Sequence, residues 1–458
     1  MNRRQFLRSS SLGFGWLGLQ HLLQAQPRPH FMPKARSVIL VYLSGGLSQV
    51  DSFDPKPILK KYAGEAMPMP LKATMFDDVG QIMPSQWKFK NRGESGLPIS
   101  ELFPCISEQA DELCIIRSMT SKVSEHAQAN FYFHSGFSFQ GHPSAGAWMS
   151  YGLGTENRNL PSYIVLRSGD AVDPIGGRGV YSNGFLPARY QPSFISVDKD
   201  PSLVNLKPQE EASSQLDKIA TMQKLDAEFM QNLGVSSNVE AAISNYEIAF
   251  QMQSSVPEIC ELQGESEITK ELYGVDSAHS QMAAFARQCL VARRMVERGV
   301  RFIELSCLPE TKGGGQNMNP WDQHGNIKVG HANMAKQVDQ PVAALLQDLK
   351  ARGLLDSTIV VFSGEFGRTP FAQGSDGRDH NPFGFSLWLA GGGFKKGFTY
   401  GQTDRFGYYT IDKPLSIYDL WATIQYQLGI NHEKLTYHFG GRNFRLSDVE
   451  GHVITDLV

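Results

Sequence analysis

The segment Ser363-Gly-Glu365-Phe-Gly-Arg368-Thr-Pro370 is followed closely by Arg378-Asp379-His380-Asn381-Pro382. It comes directly after Ser357-Thr-Ile-Val-Val-Phe362, a short apolar, β-branched run of the kind that forms a buried parallel strand. A carboxylate, a guanidinium and an Asp-His pair are thus delivered just beyond the carboxyl end of a strand, where open α/β sheets bind ligands. Residues of these types point to a polar site for an anionic ligand, with a metal as one way of building it.

Each of these side chains has two readings. Glu365 sits between glycines where a strand turns, and an unpaired carboxylate buried there would be costly. It is either the ion-pair partner of Arg368 or a metal ligand or general base. Arg368 has the fork that grips two oxygens of a phosphate or sulfate, unless Glu365 occupies it. His126, after Ser124-Glu125, opens a helix-like segment near another strand end and is placed to enter the cleft. His331 also stands at a helix opening, where capping or solvation in the first turn is its expected role. Asp51 and Asp54 flank a turn ending in Asp54-Pro55, so ordinary turn formation competes with any site role.

The elements that must position these groups follow a regular alternation. Ser37–Leu43, Leu113–Arg117, Ser162–Arg167, Arg301–Cys307 and Leu387–Ala390 read as short strands. Helical patterns cover residues 240–253, 278–298, 331–352 and 416–428, and Gly299 and Gly353 supply stop signals for two of them. Strands alternating with helices predict an α/β fold, a three-layer α/β/α sandwich around a mostly parallel, doubly wound sheet. Residues 55–100, rich in Pro, Lys and Gly, read as a surface insertion. Residues 168–239 read as turns followed by a polar helix that could cap the strand ends.

The front of the chain carries an address. Arg3-Arg4-Gln5-Phe6-Leu7 precedes an uncharged run ending near Ala25, the pattern of a twin-arginine signal peptide over residues 1–25. Export by the twin-arginine machinery, to the periplasm or beyond the cell, is therefore expected. A net charge of -3 over 458 residues argues against a nucleic-acid surface. The mature sequence has no apolar run of the length that spans a bilayer. The five cysteines have no metal-ligand spacing, so the fold must rest on a core rather than on a disulfide framework.

Taken together, GGLSQVDSFDPKP, HPSAGAWMSYGLGTENRNLPSY, WDQHGNI, the run from Val338 to Pro370, GRDHNP and LTYHFGGRNFRLSDVEGHVI resemble an exported bacterial family catalogued as domain of unknown function 1501. The resemblance covers nearly the whole mature chain and implies an alkaline phosphatase-like domain over residues 35–458. That superfamily performs metal-assisted hydrolysis of phosphate and sulfate esters. The resemblance implies that Asp322, His324 and His380 are metal ligands, with Asp51 a further candidate, and that His126 is a nucleophile, base or ligand. One carboxylate and two imidazoles suit a catalytic zinc with an open position, and manganese or iron would accept the same set. The substrate class implied is an anionic ester, such as a sulfated or phosphorylated carbohydrate. Two positions depart from the superfamily pattern. Ser44 stands where relatives place a metal-binding Asp, and Glu365-Phe366 stands where they carry an Asp-His pair. A catalytically degenerate member binding envelope polysaccharide or a partner protein is the alternative.

Overall fold

The computed structural model describes residues 29–199, 211–233, 249–309 and 319–458, apart from residues 77, 158, 251 and 254. The expected signal peptide and most of the helix expected over residues 240–253 lie outside the described residues.

A nine-stranded sheet runs through the middle of the molecule. Its strands are β1 (Ser37–Tyr42), β2 (Leu113–Thr120), β3 (Tyr163–Arg167), β4 (Ser193–Ser196), β5 (Phe302–Ser306), β6 (Thr358–Ser363), β7 (Phe385–Ala390), β8 (Phe398–Tyr400) and β9 (Leu415–Ser416). The order is β8-β2-β7-β6-β1-β5-β3-β4, with β9 also paired to β2. All neighbours run parallel except β7, which is antiparallel to both β6 and β2. The fold is therefore α/β with a mostly parallel sheet, as the alternation of patterns predicts.

Both faces of the sheet are covered, which is why its central strands are apolar throughout rather than alternating. In β1, Ile39 and Val41 point into one core with Leu290 and Leu345. Those partners come from α3 (Ser280–Glu297) and α4 (Ile327–Ala351). Val38, Leu40 and Tyr42 point into the other core with Phe133, Trp148 and Trp421. These belong to α1 (His126–Ser135), α2 (Ala145–Leu153) and α5 (Ile417–Gln427). The period-2 geometry of the strand thus divides one apolar run between two layers of helices. Among the described residues no disulfide forms, and four of the five cysteines are buried.

The expected surface insertion at 55–100 is partly core. It contains an antiparallel hairpin, Phe89–Arg92 with Leu97–Ser100, and both Leu97 and Ile99 pack into the cluster around Phe103 and Trp321. Of the expected cap region, residues 212–233 form a helix. No helix among the described residues is long and apolar enough to cross a membrane.

A second antiparallel hairpin lies over the carboxyl end of the sheet. Gly367–Gln373 pairs with Gly377–Asn381, both strands are almost entirely buried, and His380 stands opposite Arg368. This hairpin replaces the open loop that the polar residues Arg368, Thr369, Arg378 and Asp379 suggest.

Candidate metal centre

Four segments meet above the carboxyl ends of β2, β6, β1 and β5. The chain leaving β2 reaches Ser124 and enters α1 at His126. Glu125 caps that helix, its carboxylate accepting from the N–H groups of Ala127 and Gln128, and so fixes His126 at the first helical position. The turn after β6 delivers Glu365. The segment following β5 brings Asp322 and His324 ahead of α4. The hairpin then folds back and lowers His380 between them. Gly377 lies so close to the His324 carbonyl that a side chain there would displace it.

His126, Asp322, His324 and His380 each direct one ligand atom into a common space, all within 4.8 Å of one another. Asp322 is at the centre. Its Oδ2 lies 3.1 Å from His126 Nε2, and its Oδ1 lies 2.8 Å from His324 Nε2 and 3.3 Å from His380 Nε2. Despite these short distances, His126 Nε2, His324 Nε2 and Asp322 Oδ2 have no hydrogen-bond partner, and His380 Nε2 has only its long 3.3 Å contact with Asp322 Oδ1. The reason lies on the far side of each ring. His126 Nδ1 faces Glu365 Oε1 at 2.8 Å, His380 Nδ1 faces the Ser124 carbonyl at 2.6 Å, and His324 Nδ1 faces Gln373 Oε1. All three partners accept, so each Nδ1 carries the proton and each Nε2 presents a lone pair. Three lone pairs and a carboxylate pointed at one another are repulsive alone and complementary around a cation. Imidazoles held by an acceptor on the opposite nitrogen are also the usual setting of metal-bound histidines. The group can hold a metal ion.

Electrostatics in the cluster follow from burial. Burial alone would raise the Asp322 carboxyl, but the Arg368 guanidinium at 2.6 Å and the surrounding imidazoles hold it well below the usual carboxylate range. Burial and the nearby Arg368 charge push His380 down to about 3, so its ring is neutral and able to ligate. For His126, burial is outweighed by the Asp322 and Glu365 carboxylates on either side of the ring, which lift it to about 9. Without a cation, that ring takes a second proton on Nε2, in the place a metal ion would occupy.

Other residues expected in the site lie elsewhere or act indirectly. Asp51, on the short helix Gln49–Ser52, is completely buried but is not part of the metal-ligand group. Its carboxylate pairs with Arg378 Nε at 2.7 Å and accepts from the Ser48 hydroxyl at 2.6 Å. The expectation of Asp51 as a metal ligand is corrected to that of a structural ion pair. Glu365 and Arg368 do not pair with each other. Glu365 accepts from the Gly45 N–H at 2.9 Å as well as from His126, so it orients a ligand. Gly45 can do this because its φ is +113°, and a Cβ there would lie 2.5 Å from the Asp322 amide nitrogen. Arg368 donates to the carbonyls of Gly45, Gly46 and Arg378 and to Asp322 Oδ1. Its fork is filled from within the protein, which corrects the expectation that it grips a substrate oxyanion.

The two departures from the superfamily pattern are also placed. Ser44 accepts the Trp321 N–H through its carbonyl. The Phe366 ring lies 4.4 Å from that of His380 and 5.1 Å from that of His126, forming an apolar wall. Phe76, from the 55–100 segment, sets its edge against His324 and His380 at 4.9 and 5.5 Å and remains 49% exposed. Neither Gln373 nor Phe76 carries a sequence signal of its role. His324, 24% exposed at its side chain, is the most open of the four candidate ligands.

His331 is fully buried in the first turns of α4 rather than solvated there. Its Nε2 accepts the Ser48 N–H at 3.1 Å, and its Nδ1 faces Gln323 Oε1 at 2.5 Å. Burial, with Arg368 and Arg378 nearby, pushes it down to about 3. Between that value and its ordinary pKa near 6.5, the unfolded chain binds a proton that the folded chain refuses. The stabilisation is therefore complete above about pH 6.5 and declines as the pH falls towards 3. At pH 5 the expected loss from this residue is about 2 kcal/mol relative to pH 7.5. Urea unfolding of the metal-free protein at both pH values checks this, and His331→Gln should flatten the pH dependence.

No curated protein matches the chain. Among solved structures it is similar to a PsFucS1 sulfatase from Pseudoalteromonas sp., at 12% identity, covering 94% of this chain and 73% of that one with a TM-score of 0.38. It is also similar to the lipoteichoic acid synthase LtaP from Listeria monocytogenes, at 11% identity, covering 87% and 73% with a TM-score of 0.40. A protein in the alkaline phosphatase superfamily from Vibrio parahaemolyticus matches at 9% identity, covering 91% and 71% with a TM-score of 0.36. At these identities and TM-scores, the fold and the chemistry of the site stand on this chain's own residues. Residues 35–458 match the family described as "Protein of unknown function (DUF1501)", and the chain belongs to that family.

Proposed function

We propose that the protein is an exported, metal-dependent hydrolase of anionic esters, with His126, Asp322, His324 and His380 as the ligands of one divalent ion. The observation that carries this reading is the convergence of three histidine Nε2 atoms on a single buried carboxylate, with two of those nitrogens and one carboxylate oxygen left without a hydrogen-bond partner. A divalent cation held there would polarise an oxygen of a sulfate or phosphate ester and lower the pKa of a water. Glu365 keeps His126 in the ligating tautomer. Arg368, too enclosed to touch a substrate, contributes a fixed positive charge beside the centre that favours an anion. Phe366 and Phe76 keep water from the sides of the cluster, leaving His324 as the approach. Four protein ligands would close a tetrahedral zinc, whereas manganese or iron with five or six ligands would keep positions open for substrate. Esters on carbohydrates fit an exported protein, and the twin-arginine pattern at Arg3-Arg4 is consistent with a centre loaded before export.

The test is a panel of aryl sulfates, phosphomonoesters and phosphodiesters assayed with zinc, manganese or iron. Turnover of at least one class, falling by about 100-fold or more in Asp322→Asn, is the expected result. Inactivity with every metal, in protein shown to be loaded, would favour a second reading, in which the site binds without catalysis. Two observations favour that alternative: the four-ligand set can close around zinc, and every side-chain nitrogen of Arg368 already donates within the protein.

A further inference from the structure

Beside β2 lies a cavity of about 480 Å³ that the proposed chemistry does not use, lined by Asp54, Lys56, Arg117, Tyr400, Asp412 and Lys413 among others. Its lining combines the segment after β1, which holds Asp54 and Lys56, with Tyr400 at the carboxyl end of β8. Arg117 sits in the carboxyl half of β2, one residue beyond Ile116, which pairs with Tyr400 of β8. Asp54 and Lys56 follow the short helix that carries Asp51.

The charges in this cavity are unevenly matched. Asp54 is the buried carboxylate, and two cations share it. Its Oδ1 holds Lys56 Nζ at 3.1 Å, and its Oδ2 accepts from the Thr403 hydroxyl. Arg117 approaches the same Oδ1 only to 3.9 Å. Its Nε donates to the Phe53 carbonyl at 2.8 Å, which fixes the plane of the guanidinium, and its Nη2 is buried without any partner. Lys413 reaches over the Tyr400 ring at 5.2 Å while pairing with Asp456 at 2.7 Å. Asp412 is exposed and can be balanced by solvent. An oriented guanidinium with an empty buried donor is costly to maintain unless something accepts from it. Arginine forks match planar or tetrahedral oxyanions.

We propose that this cavity is a second anion subsite, in which Arg117 binds a sulfate or carboxylate group of an anionic carbohydrate while another part of the same chain lies at the metal-ligand cluster. The proposal rests on the reading of that cluster as a site for anionic carbohydrate esters.

The test is calorimetric titration of the full-length chain with a sulfated disaccharide, its desulfated counterpart and inorganic sulfate, in metal-free protein. Wild type, Arg117→Gln, Arg117→Lys and Asp322→Ala would be compared, each checked for an intact fold by thermal unfolding. The expected result is saturable binding of the sulfated disaccharide that weakens about tenfold or more in Arg117→Gln and less in Arg117→Lys. It should persist in Asp322→Ala, and the desulfated sugar should not bind. Binding lost in Asp322→Ala but unchanged in Arg117→Gln would place the anion at the metal cluster and overturn the subsite while leaving the hydrolase reading intact. Inorganic sulfate binding as tightly as the disaccharide would overturn the carbohydrate assignment. Absence of saturable binding in folded wild type would overturn the proposal altogether.

Discussion

Asp322→Ala is expected to abolish metal binding and to destabilise the protein by about 3–5 kcal/mol, the cost of leaving one partner of a buried ion pair unpaired. Both effects come from the position of this carboxylate. It is the point on which three imidazoles converge and the only side-chain anion within 2.6 Å of the fully buried Arg368 among the described residues. Loss of outer-shell partners commonly weakens metal affinity by 10–100-fold, so removal of the central ligand should cost about 100-fold or more. Asp322→Asn separates the two effects. The amide keeps the volume and one acceptor for Arg368 but loses the charge that balances it and a cation. Its stability should fall by less than that of the alanine variant, while metal affinity should still collapse. Urea unfolding and equilibrium metal titration read the two quantities independently.

Arg378→Met is expected to be nearly as damaging to the fold, by about 3–5 kcal/mol, and harmless to the metal centre. Asp51 and Arg378 are both fully buried, and their ion pair ties the short helix after β1 to the returning hairpin. Arg378 also donates to the carbonyls of Thr369 and Met83, so it fastens one strand of the hairpin to the other and to the 55–100 segment. Removing the cation strands the Asp51 carboxylate. The Asp51→Asn/Arg378→Met double variant should recover part of the loss, with a coupling of about 1–3 kcal/mol. Chemical unfolding of the four members of the cycle measures this. Retention of the wild-type metal stoichiometry in the folded double variant would separate Asp51 from the centre. A loss of metal there would restore it as a ligand.

The layers of this fold are legible in the sequence because they depend on simple periodicities. Continuous apolar runs such as Ser37–Tyr42 and Thr358–Ser363 form central strands, and the patterns ending at Gly299 and Gly353 form α3 and α4. The hairpin from Gly367 to Asn381 is invisible to the same reading. Its residues are polar yet buried, held by side-chain bonds from Gln49, Arg368 and Arg378 instead of by an apolar face. Short edge strands such as Phe398–Tyr400 are too brief to show a pattern.

The site divides along a similar line. Asp322, His324, His380 and His126 are singled out by residue type and by resemblance, and the fold brings all four together. Their partners are not legible, because the acceptor for His380 is the backbone carbonyl of Ser124, and Gln373 has no distinguishing pattern. Glu365 and Arg368, three residues apart, suggest a local pair. The tight turn after β6 instead sends them to different partners, one to His126 and Gly45 and the other to Asp322. Asp51 illustrates the converse. A carboxylate near the end of the first strand invites a ligand role, but the helix over Gln49–Ser52 turns it towards Arg378.

The central claim is that His126, Asp322, His324 and His380 hold one metal ion. Elemental analysis of the mature protein, purified without chelators and compared with a His126→Ala/His380→Ala variant, tests it most directly. About one divalent transition metal per wild-type chain is expected, absent from a variant that still folds. A folded wild type that carries no metal even after reconstitution, or a variant that retains the wild-type metal content, would contradict it.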